Sequence, residues 1–270
     1  MKKYTYNELK NSILKLGVKK NESIFIHSSI FELGIMDNVK IEDLSKNIIN
    51  CFMECIGKKG TLFLPAFFHD YSKKNMKFYL KKSPPSISLG SLSQYVFMNK
   101  KFERSKNPLT SIFGMGHDAK YVCNTSNFSS YGINSIWDKL LDINTKFIFL
   151  GTNLSNSFTF VHHIEFLYGV PHMYIKQFSH DIINADNKLI NNKINAYVRY
   201  LDFDIKTNFK KFQIDLIKSK YLCKKKLGSG EISLINSNDA FKFGFSKLEL
   251  NNNYFLNNSP TFKKNKLPLI

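Results

Sequence analysis

Hydrophobic positions along the chain switch repeatedly between two periods, and the switches set the expected elements. Residues 6–16 are amphipathic with a helical period. The apolar run of ESIFIHSS then predicts a strand that delivers His27, Ser28 and Ser29 at its carboxyl end. In KIEDLSKNIINCFMECIGKKG, acidic residues come first, Leu44, Ile48, Cys51, Phe52 and Cys55 recur at helical spacing, and glycines close the segment. These signals predict a helix. GTLFLPAFF follows as a buried strand ending at Pro65.

Further along, residues 71–86 read as a basic, proline-containing loop, LGSLSQYVFMN as a helix, and 101–116 as an irregular stretch rich in turn-forming residues. TKFIFLG at 145–151 is the clearest strand; it opens into the polar loop TNLSNS and then the helical TFVHHIEFLYG. Residues 187–205 suggest a hairpin around an Asn-rich turn, 208–222 a helix, and GEISLINSNDAFKFG a strand followed by a short capped helix. The last twenty residues, 251–270, read as loosely ordered. Strand and helix alternate, so the expected fold is α/β, with a mainly parallel central sheet flanked by helices on both faces and a C-terminal hairpin elaboration. The chain is expected to form one domain over 1–270, with ligands gathering at the strand ends.

Composition changes this picture at two points. The 39 Lys and Arg against 21 Asp and Glu give a net charge of +18, which suits phosphate-bearing ligands. The lysines are scattered among Asn and Ile, however, and neither an RNA-binding signature nor a basic heptad region is present, so nucleic acid is not expected as a partner. Four cysteines lack the paired spacing of a zinc site, and no metal is expected. The amphipathic N-terminus and the absence of a long apolar run predict a cytoplasmic protein with no membrane span.

The segment richest in candidate chemistry is GTNLSNSFTFVHHIEFLYGVPH. With a helix capped at Asn156 or Ser157, His162 and Glu165 lie three apart on one face, whereas His163 points about 100° away. A neutral imidazole beside a carboxylate suits general-base catalysis near pH 7. A histidine on a half-apolar helix is equally a packing residue, so spacing alone leaves both roles open. Ser28 or Ser29 could act as a hydrolase nucleophile, although neither sits in a Gly-x-Ser-x-Gly elbow. A basic binding protein without chemistry is a third reading.

Six motifs in order, IHSSIFELG at 26–34, GTLFLPAF at 60–67, RSKNPLTSIFGMGHDA at 104–119, SSYGINSIWDKL at 129–140, FIFLGTN at 147–153 and TFVHHIE at 159–165, make the chain resemble the aminoglycoside 3-N-acetyltransferase family. The resemblance covers roughly residues 5–180 and implies a fold distinct from the GNAT acetyltransferases. Thr159, Val161, His162, Ile164 and Glu165 match the family's Thr-x-Leu-His-x-Ala-Glu helix, which makes His162 the expected general base. Glu165 would orient His162 or hold the substrate ammonium. Acetyl-CoA would be the cosubstrate, with direct transfer to an amine and no acyl-enzyme. His27, Ser28 and Ser29 match the motif that contacts the CoA arm; Arg104, Ser105, Thr110 and Ser111 fall in a second cofactor-facing stretch.

The chain departs from the family at Asn134-Ser135-Ile136, where relatives commonly carry Ser-Pro. Aminoglycosides are polycations that a basic protein repels, so net charge shifts the expected acceptor toward a nucleotide-linked amino sugar of surface polysaccharide synthesis. An aminoglycoside, with antibiotic resistance as the outcome, is the alternative. A homo-oligomer is compatible with either.

Overall fold

The computed structural model describes residues 2–73, 76–99, 102–125, 127–201 and 203–262. Its centre is a seven-stranded sheet of β1 (Ser23–Ser28), β2 (Thr61–Pro65), β3 (Glu103–Arg104), β4 (Ile112–Gly116), β5 (Lys146–Leu150), β6 (Cys223–Leu227) and β7 (Gly230–Asn236). The strands lie in the order β6-β7-β5-β1-β2-β4-β3. Only the three in the middle are mutually parallel, β1 pairing with β5 on one side and β2 on the other. The flanking pairs are antiparallel, so the sheet is mixed rather than mainly parallel as expected.

The reason for this difference lies in two glycines. Gly114 and Gly116 give residues 101–116 the composition of a loop, yet both sit in β4. A Cβ on Gly114 would meet the Phe63 ring at 2.9 Å. Gly116 has φ +120°, and its Cβ would fall on the carbonyl oxygen of Gly60. Glycine here answers a close approach between neighbouring strands, which a single sequence cannot separate from a turn signal.

Side chains alternate across the central strands in an unusual way. Ile24, Ile26, Leu62, Leu64, Ile148 and Leu150 point to one face, against the helices Tyr6–Lys15, Ile41–Ile56 and Ser91–Asn99. Phe25, Phe63, Phe147 and Phe149 point to the other, against Ile136–Asp142, Val161–Tyr168, Lys210–Lys218 and Ser237–Leu250. One face is therefore aliphatic and the other aromatic, with helices on both, as expected for an α/β layer structure. A satellite cluster of Phe68, Tyr71, Phe78, Ile182 and Ile194 lies beneath the strands Phe78–Tyr79, Ile182–Ile183 and Leu189–Asn191.

Toward the C-terminus the expected elements are present with different bounds. The hairpin is a longer ribbon, Met173–Phe178 paired antiparallel with Ile194–Arg199. The last helix, Ser237–Leu250, has 14 residues rather than being short, and no side chain caps it. Of the expected loose tail, Tyr254 and Phe255 are buried beside Phe212, and residues 263–270 lie outside the described residues. Among the described residues no helix is long and apolar enough to cross a membrane.

His27 belongs to the aromatic face. Its ring stacks on Phe149 at 5.6 Å with 7° between planes, and only 4% of the residue is exposed. Burial pushes its pKa down to about 3 and that of His163 down to about 4. A histidine that resists protonation when folded leaves the unfolded chain binding more protons below about pH 6.5. Stability is therefore complete above that pH and falls as pH drops toward the folded values, by up to about 1.4 kcal/mol per pH unit for each histidine. Urea midpoints measured at pH 7, 6 and 5 should decline, and His27→Phe should decline less steeply. Parallel slopes would remove His27 as a source of acid lability.

Candidate active site

A cavity of about 840 Å³ opens at the carboxyl ends of the three parallel strands. Ser28 and Ser29 follow from β1, Pro65 ends β2, and Thr152 follows β5; all line the wall. This is where an open α/β sheet splays its loops and leaves backbone groups free for a ligand. Hydroxyls dominate the polar part of the wall, among them Ser88, Ser91, Ser155, Ser157 and Thr159. His27 Nε2 and Ser91 Oγ are buried there without a hydrogen-bond partner. Lys210 is the one lysine, arginine or carboxylate residue on the described wall.

His162 borders the same cavity with a side chain 27% exposed. It stands on the first turn of the helix Val161–Tyr168, which starts later than expected and has Phe160, without a side-chain cap, before it. Asn153 instead caps the preceding turn Leu154–Ser157. The spacing of three places His162 Nδ1 2.6 Å from Glu165 Oε2. An ionised carboxylate only accepts, so Nδ1 carries the imidazole proton and Nε2 is the nitrogen left to the cavity. Tyr131 and Phe209 hold the ring edge-on at 5.9 and 5.8 Å.

Glu165 is fully buried, and its second oxygen, Oε1, lies 3.2 Å from His172 Nε2. Burial alone would raise the carboxyl pKa, but the hydrogen bonds to His162 and His172 outweigh it and hold the pKa below the usual range. The field of that charge, after burial, raises the pKa of Tyr131 and of Tyr197. Sequence spacing brought out Glu165 but missed His172, which lies off the helix. Its signal is the VPH that follows Gly169, whose left-handed conformation ends the helix and turns the chain back toward Glu165.

The other candidates separate into two groups. His27, Ser28 and Ser29 share the cavity wall with His162. Arg104, Ser105, Thr110 and Ser111 are buried and do not border the cavity. The Arg104 guanidinium donates to the carbonyls of Ala66, Leu80 and Ser83 and to Ser111 Oγ. It also stacks on Phe78 and Phe113, at 4.7 and 5.2 Å. Ser105 Oγ accepts the Ile112 amide, Ser111 Oγ donates to the Ser105 carbonyl, and Thr110 Oγ1 has no partner. His163 points away from the cavity, with Nδ1 accepting the Gly132 amide. Ser135 caps the helix Ile136–Asp142, so the departure at Asn134-Ser135-Ile136 forms an ordinary helix start.

No hydrogen bond joins Ser28 or Ser29 to a histidine among the described residues, which leaves a hydrolase without an activated nucleophile. Cys123 is buried and its thiol pKa is raised by that burial, which keeps it protonated. Among the described residues no group of three or more His, Cys, Asp or Glu is placed to hold a metal ion.

Solved structures with the same architecture are aminoglycoside acetyltransferases. AAC(3)-Xa superposes with a TM-score of 0.79 at 15% identity, covering 94% of both chains. Sisomicin-bound AAC-VIa gives 0.77 at 16% identity, over 92% of this chain and 98% of that one. The binary complex of AAC-IIIb with CoASH gives 0.75 at 18% identity, over 96% and 100%. At these identities the likeness establishes the fold. No curated protein sequence gives a significant match. The family model for aminoglycoside 3-N-acetyltransferase matches residues 25–249, a span that holds β1, the cavity-lining loops and the His162–Glu165 pair, and the chain belongs to that family of acetyltransferases.

Proposed function

We propose that the protein transfers an acetyl group from acetyl-CoA to an amine of an amino sugar, with His162 as general base. The observation that carries this reading is a partly exposed imidazole whose Nδ1 is held by a buried carboxylate at the mouth of the parallel strands. The wall fits the cosubstrate: Ser28 and Ser29 at the end of β1, with Ser88 and Ser91 also on the wall, offer hydroxyls and backbone amides to an extended, phosphate-bearing molecule. Arg104, Ser105, Thr110 and Ser111 support that wall from behind. Acetyl-CoA supplies an already activated acyl group, so the protein's task is to position it and to manage one proton.

An ammonium has no free pair with which to attack a carbonyl. His162 Nε2 takes the proton that the amine loses as the new C–N bond forms, and Glu165 stabilises the resulting imidazolium through Nδ1. The thioester C–S bond breaks, CoA leaves as the thiol, and the proton returns to solvent. The helix and the buried carboxylate fix the imidazole before substrate arrives, so little reorganisation accompanies proton transfer.

For the acceptor, an aminoglycoside is the better-supported class. The family is described by that activity, and one structural neighbour is titled as bound to sisomicin and another, a histidine-to-alanine mutant, as a complex with a gentamicin. The nucleotide-linked amino sugar expected from net charge becomes the second reading. One observation favours it: the described cavity wall carries Lys210 and no carboxylate to receive a polycation.

CoA release from acetyl-CoA, measured with a panel of aminoglycosides and a panel of nucleoside-diphosphate amino sugars, separates the two. Release with aminoglycosides supports the first acceptor, release confined to nucleotide sugars the second, and release with neither sinks the transferase proposal. His162→Ala should lower kcat by about a hundredfold or more with the folded structure intact. A mutant with near wild-type turnover would take His162 out of the reaction.

A further inference from the structure

We infer that His172 is a positioning residue for this reaction, completing a relay in which it holds Glu165 and Glu165 holds His162. The inference rests on the proposed role of His162. His172 is wholly buried and does not border the cavity, so it acts through Glu165 rather than on a substrate.

The arrangement of donors carries the argument. Glu165 has no exposure, and its side chain faces two hydrogen-bonding groups, His162 Nδ1 on Oε2 and His172 Nε2 on Oε1. A carboxylate sealed from water stays ionised only if donors replace the lost hydration. With one oxygen committed to His162, His172 is the remaining donor. Its Nε2 must then bear the proton, which leaves Nδ1 as a bare acceptor, and Nδ1 is indeed buried without a partner. A leucine would fill the same space with no orphaned atom, so packing alone does not account for a histidine there.

The backbone keeps His172 in place. The amides of Gly169 and Val170 both bond to the Glu165 carbonyl, and the His172 carbonyl accepts the Tyr200 amide from the ribbon. Other titratable groups around the relay are Tyr131, edge-on to His162, and Tyr197, which donates to the Val170 carbonyl. Lys210 lies on the cavity wall, and His163 is turned to Gly132 and Asp138 on the far side. None of these replaces the donor on Oε1.

Without that donor the carboxylate gives up ionisation at a higher pH, and the His162–Glu165 pair, which titrates as a unit, loses activity earlier as pH falls. Two readouts test this. The first needs no acceptor: imidazole ¹⁵N spectra of the wild-type protein should show His172 protonated on Nε2, with a resonance that moves in Glu165→Gln. A proton on Nδ1, or a resonance indifferent to Glu165→Gln, overturns the inference. The second is kcat/KM against pH with acetyl-CoA and sisomicin. His172→Leu should lose about tenfold in kcat, as partners behind a reacting group commonly do, with KM little changed and the acid limb displaced upward. His172→Gln, which keeps a donor near Oε1, should restore most of both. An unmoved limb in folded His172→Leu, beside an inactive His162→Ala, overturns the inference while leaving the base in place; an active His162→Ala instead overturns the reading beneath it.

Discussion

A carboxylate with no access to water sets the terms for the site. Glu165 is fully buried on a helix packed against the aromatic face of the sheet, and its charge has to be met inside the protein. Meeting it draws His162 from the same helix and His172 from the start of the ribbon into one hydrogen-bonded group. The ribbon therefore does more than decorate the sheet, because its first residues close the polar interior behind the cavity. Stability and reactivity share this element, since the bonds that hold the buried charge also orient the imidazole that faces the cavity.

Much of this was legible in the sequence where local pattern and local structure coincide. β1, β2 and β5 are strongly apolar runs with polar endings, and the loops at those endings form the cavity. His162 and Glu165 are three apart on a helix, and helical geometry alone brings them together. The site is less legible where contact depends on chain return. His172 reaches Glu165 only because Gly169 ends the helix in a left-handed conformation, and no period marks a residue seven positions away across such a break. The antiparallel strands were obscured for a different reason: glycines demanded by interstrand crowding look like glycines demanded by turns.

Arg104 marks a further limit of reading residue type. An arginine in a basic protein suggests an anion contact, yet this one is folded into the interior, donating to carbonyls and stacked on aromatic rings. Desolvation lowers its pKa to about 9. It ties the segment carrying Leu80 and Ser83 to the sheet edge that carries Ala66. Net charge misleads similarly, because the described cavity wall holds Lys210 and the other lysines and arginines lie elsewhere. The potential a ligand meets depends on which few side chains reach it, not on the sum over the chain.

The alternation of aliphatic and aromatic residues in β1, β2 and β5 has a consequence for assembly of the fold. All three strands are buried on both faces, so a plain apolar pattern would leave their pairing indifferent to a slip of one residue. Here such a slip would drive phenylalanine rings into the layer shaped for isoleucine and leucine, and would open voids in the layer shaped for rings. His27 would turn with them, away from the cavity and toward the helix Ile41–Ile56. The mismatch in side-chain volume between the two layers thus works as a vernier, admitting the one strand alignment that also brings the polar strand ends together.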